Sequence, residues 1–162
     1  MVERALLVRI CFDKREEEES RSLLNELAEL VGTLGIVVVG DQLVRARQTQ
    51  KKFLCGKGKA EEVAAQAREL DCDCIVFDNQ LAPNQQREWE EAADMTVIDR
   101  EEIILDIFAR RAQTREARLQ VELARMEYAL PRMARMWGHL DREGGGGSGG
   151  SGGSGGHFHS FR

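Results

Sequence analysis

The 162 residues are 42% hydrophobic and 31% charged with a formal net charge of −5, the balance of a globular chain with one core. That mixture excludes a wholly disordered chain, a collagen and a disulfide scaffold. No apolar run approaches the ~18 residues that span a bilayer, and the opening Met1-Val-Glu-Arg4 mixes acid and base with apolar residues, so neither a membrane partner nor a signal peptide is expected.

In chain order, Ala5 to Phe12 is a nearly continuous apolar run, as expected of a strand covered on both faces. Acids Glu16 to Glu19 open a helix whose apolar face is Leu23, Leu24, Leu27, Leu30, Val31 and Leu34, and Gly32 and Gly35 end it. Ile36 to Val39 reads as a second strand, which the polar stretch from Asp41 to Gln50 either extends or leaves as an exposed edge. Glu61 to Leu70 reads as a helix, Cys74 to Phe77 as a third strand, and Pro83 suits the first turn of a helix that includes Trp89 and Ala92. Met95 to Ile98 is the fourth strand, after which Asp99 caps a helix with Glu102 three residues on. Strands alternating with helices predict a small parallel four-stranded sheet with flanking helices over residues 1–100, with strand order 2-1-3-4.

Residues 101–143 are expected as a long protruding basic helix, half of a coiled-coil hairpin. Leu119, Leu123, Met126, Leu130, Met133, Trp137 and Leu140 alternate at spacings of four and three, a seam that wants a facing helix. The helix is read as continuous from near Arg100, with Pro131 expected to kink it and fraying expected beyond. Without a facing helix, self-association through Leu119, Leu123, Met126 and Leu130 is the alternative to that fraying. Between Ile107 and Arg142 eight arginines face four acids, a net of +4 that leaves −9 for the remainder. Arg111, Arg118, Arg125 and Arg132 are seven apart with Arg115 on the neighbouring turn, a cationic stripe suited to phosphate contacts or to acids on a partner helix.

Ten of the 16 glycines fall between Gly144 and Gly156, so residues 144–162 are expected to be a disordered Gly/Ser linker and the hexapeptide tail His157 to Arg162, outside the fold. The four cysteines, Cys11, Cys55, Cys72 and Cys74, have no metal-ligand spacing, and a reduced, cytoplasmic protein is the economical reading.

Chemistry is sparse. Gly56-Lys57-Gly58-Lys59 opens a helix and could hold a phosphate on backbone amides and two lysines, which makes a nucleotide-binding α/β domain the alternative reading. Lys59 is followed by Ala60, so the P-loop hydroxyl for magnesium is missing. Asp13, Asp78 and Asp99 fall near the carboxyl ends of strands, where open α/β sheets bind ligands, but serve equally as turn and cap residues. No catalytic set and no metal site can be assembled from these residues.

The stretch Leu105-Asp-Ile-Phe-Ala-Arg-Arg-Ala-Gln-Thr-Arg-Glu-Ala-Arg-Leu-Gln-Val-Glu-Leu-Ala124, with Tyr128-Ala-Leu-Pro-Arg-Met133 and Trp137-Gly-His-Leu140, closely resembles the N-terminal domain of the HflX family of ribosome-associated GTPases. Gly56 to Glu62, Val76 to Gln86 and Val97 to Arg100 match in order and spacing, so the resemblance covers about residues 1–143. It implies a parallel α/β subdomain, a two-helix antiparallel hairpin whose tip reaches rRNA of the large ribosomal subunit, and then a GTPase domain that takes GTP and magnesium. It also implies a role in ribosome splitting and rescue. Where the family continues into a tip loop and a second helix, this sequence has its Gly/Ser run, so the chain is expected to be the non-enzymatic front part of a longer GTPase. On that footing Arg111, Arg115, Arg118, Arg125, Arg132, Arg135, Trp137, His139 and Arg142 are the expected rRNA contacts.

Overall fold

The computed structural model describes residues 2–143, with side chains described for 2–133; the expected Gly/Ser linker and tail lie outside the described residues. The elements are β1 (Arg4–Cys11), α1 (Glu17–Thr33), β2 (Val37–Arg45), α2 (Lys57–Glu69), β3 (Cys74–Phe77), α3 (Pro83–Ala93), β4 (Thr96–Asp99), α4 (Arg100–Arg111) and α5 (Arg115–Glu143). All strand pairs are parallel, in the order β2-β1-β3-β4 expected from the alternation of elements.

The apolar run of β1 is buried on both faces because its alternate residues feed two cores. Leu6, Val8 and Ile10 join Ala60, Val63, Ala64, Ala67, Trp89 and Ala93 beneath α2 and α3. Ala5 and Leu7 join Leu24, Leu27, Val31, Ile103 and Ile107 beneath α1 and α4. β3 is covered in the same way, all four of its residues being buried. The polar stretch after Val39 does extend β2, and this strand is also the sheet's edge, so its residues are mostly half-exposed.

The largest departure from the sequence reading follows α4. No single helix runs from Arg100: Ala112 turns extended (φ −67°, ψ 115°), and the chain reverses within Ala112-Gln113-Thr114. Thr114 caps the new helix, its Oγ1 accepting from the Ala117 amide at 3.1 Å. Arg110 and Arg111 close α4 and Glu116 opens α5, each on the side its helix dipole favours. α5 then returns antiparallel along α4, pairing Arg125 with Asp106 and Tyr128 with Asp99.

α5 continues through Pro131 to Glu143. Pro131 is exposed, so the carbonyl it cannot serve is one that water can reach. Leu119, Leu123, Met126, Leu130 and Met133 are 46–61% exposed along the outward face, the described part of the expected seam. Among the described residues, no helix is long and apolar enough to cross a membrane.

Candidate functional site

The helices start where the parallel strands end, so the carboxyl edge of the sheet gathers the loops and helix N-termini of the fold. Its centre, between β1 and β3, is where the strand order reverses and where open α/β sheets leave a crevice. Here the protein fills that crevice with its own side chains. Asp78, at the end of β3, lies between Arg9 at 2.5 Å and Arg100 at 2.6 Å, and Arg100 also reaches Glu26. Arg9 further donates to Ser20 of α1 at 3.0 Å. Asn79 accepts from the Ile10 amide at 2.7 Å and donates to the Ile10 carbonyl at 2.9 Å, mimicking a strand partner just past the end of β3. Asp78 is therefore a buried counter-charge that joins β1, α1 and α4.

Asp99 is fully buried at the end of β4 and serves four groups. Its carboxylate accepts from the Glu102 amide (3.3 Å), the Leu81 amide (3.1 Å) and the Tyr128 hydroxyl (3.1 Å), and Arg132 lies 3.8 Å away. Burial pushes the Tyr128 phenol far above its usual range, and the neighbouring Asp99 and Glu102 charges add to this, so the hydroxyl stays a donor. Asp13 caps a short turn at Lys14–Glu16, and its bonds to Arg15 hold its carboxyl below the usual range. All three aspartates near the strand ends thus have structural partners.

Gly56 is the N-cap of α2, and Lys57, Gly58 and Lys59 form its exposed first turn. A Cβ added at Gly56 or Gly58 would meet no other atom within 4 Å, so close packing does not demand glycine at either position. Ala60 is fully buried against the core and offers no hydroxyl, so these residues do not fit a magnesium nucleotide. Among the described residues, no group of His, Cys, Asp and Glu side chains is placed to hold a metal ion.

The arginine stripe divides into two groups. Arg111, Arg115 and Arg118 are exposed around the α4–α5 corner, and among the described residues none faces a carboxylate within ion-pair distance; the Arg118 Nε donates only to the Ala112 carbonyl, at 3.3 Å. Arg125 and Arg132 turn inward. Arg125 pairs with Asp106 at 2.7 Å. Arg132 donates to Gln86 (2.6 Å), the Tyr128 carbonyl (2.8 Å) and the Leu81 carbonyl (3.0 Å), with its guanidinium 3.6 Å from the centre of the Tyr128 ring. Arg135, Trp137, His139 and Arg142 lie outside the residues whose side chains are described.

Arg9, Gln86, Arg100 and Asp106 were not among the expected site residues, although the last three lie in stretches that carry the family resemblance. For Arg9 and Asp106 the signal was present, since a charged residue within an apolar strand or helix face needs a buried partner. Arg9 interrupts the run of β1, and Asp106 sits between Leu105 and Ile107.

A parallel α/β sandwich with a basic helix folded back across its carboxyl edge defines the class to which the comparisons assign the chain. Residues 21–109 match the GTP-binding GTPase N-terminal family, and residues 111–157 match the GTP-binding GTPase middle region. The chain belongs to this family and carries the N-terminal domain of HflX GTPases. It is 62% identical over 146 residues to the GTPase HflX of Akkermansia muciniphila, covering 90% of this chain and 33% of that protein. Against the GTPase HflX of Spirochaeta thermophila it is 44% identical over 137 residues, covering 85% of this chain and 34% of the relative. For that of Escherichia coli the identity is 38%, over 89% of this chain and 33% of the relative. The chain thus spans about a third of the length of the curated relatives it matches. In fold it is similar to a GTP-binding protein from Sulfolobus solfataricus in complex with GDP (TM-score 0.57, 23% identity, 83% of this chain and 39% of that one).

Proposed function

We propose that this chain is the ribosome-binding module of an HflX-type GTPase, engaging the large ribosomal subunit through rRNA in ribosome splitting and rescue, with GTP hydrolysis assigned to a part of the longer protein that this chain does not carry. Family membership supports the GTPase context. The observation that carries the binding surface is the exposed trio Arg111, Arg115 and Arg118, free of carboxylate partners among the described residues, while the buried Asp78 and Asp106 are held by other arginines. Such unneutralised guanidinium groups on one corner suit the phosphates of an RNA backbone. The family resemblance carries the reading to Arg135, Trp137, His139 and Arg142 as well, and the outward seam offers its apolar face to the second helix of a hairpin.

Sedimentation of the chain with purified large subunits at several salt concentrations tests the reading. Binding that weakens steeply with salt is expected, and no binding at low salt contradicts it. Titration calorimetry with ATP and GTP addresses the Gly56–Lys59 turn, and no heat is expected there. A nucleotide signal removed by replacing both Lys57 and Lys59 with alanine would move the function to that turn.

A further inference from the structure

The loop between β3 and α3 is held at both ends by groups that belong to other elements. At its start Asn79 is bonded through its amide to both backbone groups of Ile10 in β1. Further on, Leu81 is clasped from both sides, its amide by the buried Asp99 carboxylate at 3.1 Å and its carbonyl by Arg132 of α5 at 3.0 Å. Gln86, which accepts from Arg132 at 2.6 Å, spends its own amide on the Val97 carbonyl of β4 at 2.7 Å. The guanidinium of Arg132 therefore sits in a socket built from the β3–α3 loop, α3, the end of β4 and Tyr128, with its five donors largely used.

We propose that this socket is a coupling device: Arg132 fixes the direction in which α5 leaves the body and ties that direction to the conformation of the β3–α3 loop. The physical reason is that Arg132 and Asp99 cannot separate cheaply. Withdrawing the guanidinium leaves Asp99 buried without its nearby cation and strips a bond from Leu81, Gln86 and the Tyr128 carbonyl together. The arm thus has one well-defined seated position, and any load that tilts it is felt first at Leu81. The loop at the sheet's switch point and the outward arm form one mechanical unit, bolted to β1 by Asn79.

Residue-resolved amide exchange and residual dipolar couplings on the full chain test this, in wild type and in Arg132→Gln, Tyr128→Phe and Arg47→Gln. In Arg132→Gln the Leu81 carbonyl loses its charged donor and the loop is freed to open, so the Leu81 amide, which Asp99 holds, is expected to exchange at least about tenfold faster. The couplings of residues 115–130 are expected to lose their fixed relation to those of the sheet, while Val8 and Val76 exchange at wild-type rates. Tyr128→Phe, which keeps the carbonyl that Arg132 uses, is expected to show a smaller change of the same kind, and it reads the device if Arg132→Gln does not fold. Arg47→Gln, exposed and outside the socket, is expected to leave all of these unchanged. The proposal is overturned if Leu81 exchange is unaltered, if Val8 and Val76 accelerate by the same factor as Leu81, or if α5 reorients without any change at Leu81.

Discussion

Asp106 sits in α4 with its carboxylate between Arg125 at 2.7 Å and Arg110 at 3.6 Å, and burial raises its pKa above the usual 3.8 despite the lowering pull of both arginines. An acid with a raised folded pKa holds its proton more tightly in the native state, so its contribution to stability grows as pH falls into the window just above 3.8. Urea unfolding of wild type and Asp106→Asn is therefore expected to show wild type gaining on the variant between pH 7 and pH 4. A gap that moves the other way contradicts this assignment. Trp89 poses a different test. It is fully buried, packs its ring on Phe77 (centroids 4.7 Å apart) and Phe53 (5.3 Å), and donates to the Phe53 carbonyl at 3.1 Å, pinning the segment that leads into Gly56. Trp89→Ala is expected to cost about 3–5 kcal/mol in denaturant unfolding, whereas a loss below about 1 kcal/mol would show that the core collapses around the gap.

Among the elements, α5 carries most of the interest because its two long faces have opposite fates. Arg125, Tyr128 and Arg132 dock inward, and Leu119, Leu123, Met126, Leu130 and Met133 point outward. Each outward side chain forgoes up to about 1.5–3 kcal/mol of burial. Analytical ultracentrifugation is expected to show concentration-dependent self-association of the chain, lost on Leu123→Glu. Exposed Glu122 and Glu127 flank the seam at positions that would oppose each other across a parallel pair, so the association should tighten as salt rises. A clean monomer at every concentration contradicts this prediction. The strands and the sheet order were legible because burial on two faces or on one leaves a period in the residues, and the exposed seam because its apolar residues keep the spacing of one helix face. The reversal at Ala112–Thr114 was masked because Leu105, Ala109 and Ala112 extend the same spacing backwards by coincidence. Thr114 three residues before Ala117, after the paired Arg110 and Arg111, was the local sign of a helix end and a new cap. The inward turn of Arg125 and Arg132 was not legible, since a seven-residue spacing says that side chains share a flank and not which way that flank faces.

At the scale of the whole molecule, an acidic α/β body pairs its buried Asp78, Asp99 and Asp106 with arginines and carries a cationic corner at the α4–α5 reversal. The residues of the sequence-derived stripe then separate by the property they should control. Arg125 and Arg132 serve the seating of α5, so their replacement is expected to lower stability and alter helix orientation. Under the proposed function Arg111, Arg115 and Arg118 meet an external polyanion, so their replacement should leave the fold intact. The most direct test is the salt dependence of large-subunit binding by wild type and by the triple variant Arg111→Gln, Arg115→Gln, Arg118→Gln. If each of the three neutralises one phosphate, the slope of log K against log salt should fall in magnitude by about 2–3 in the variant, with an unchanged unfolding midpoint. An equal slope for the two proteins, or no binding by wild type at low salt, would contradict the account.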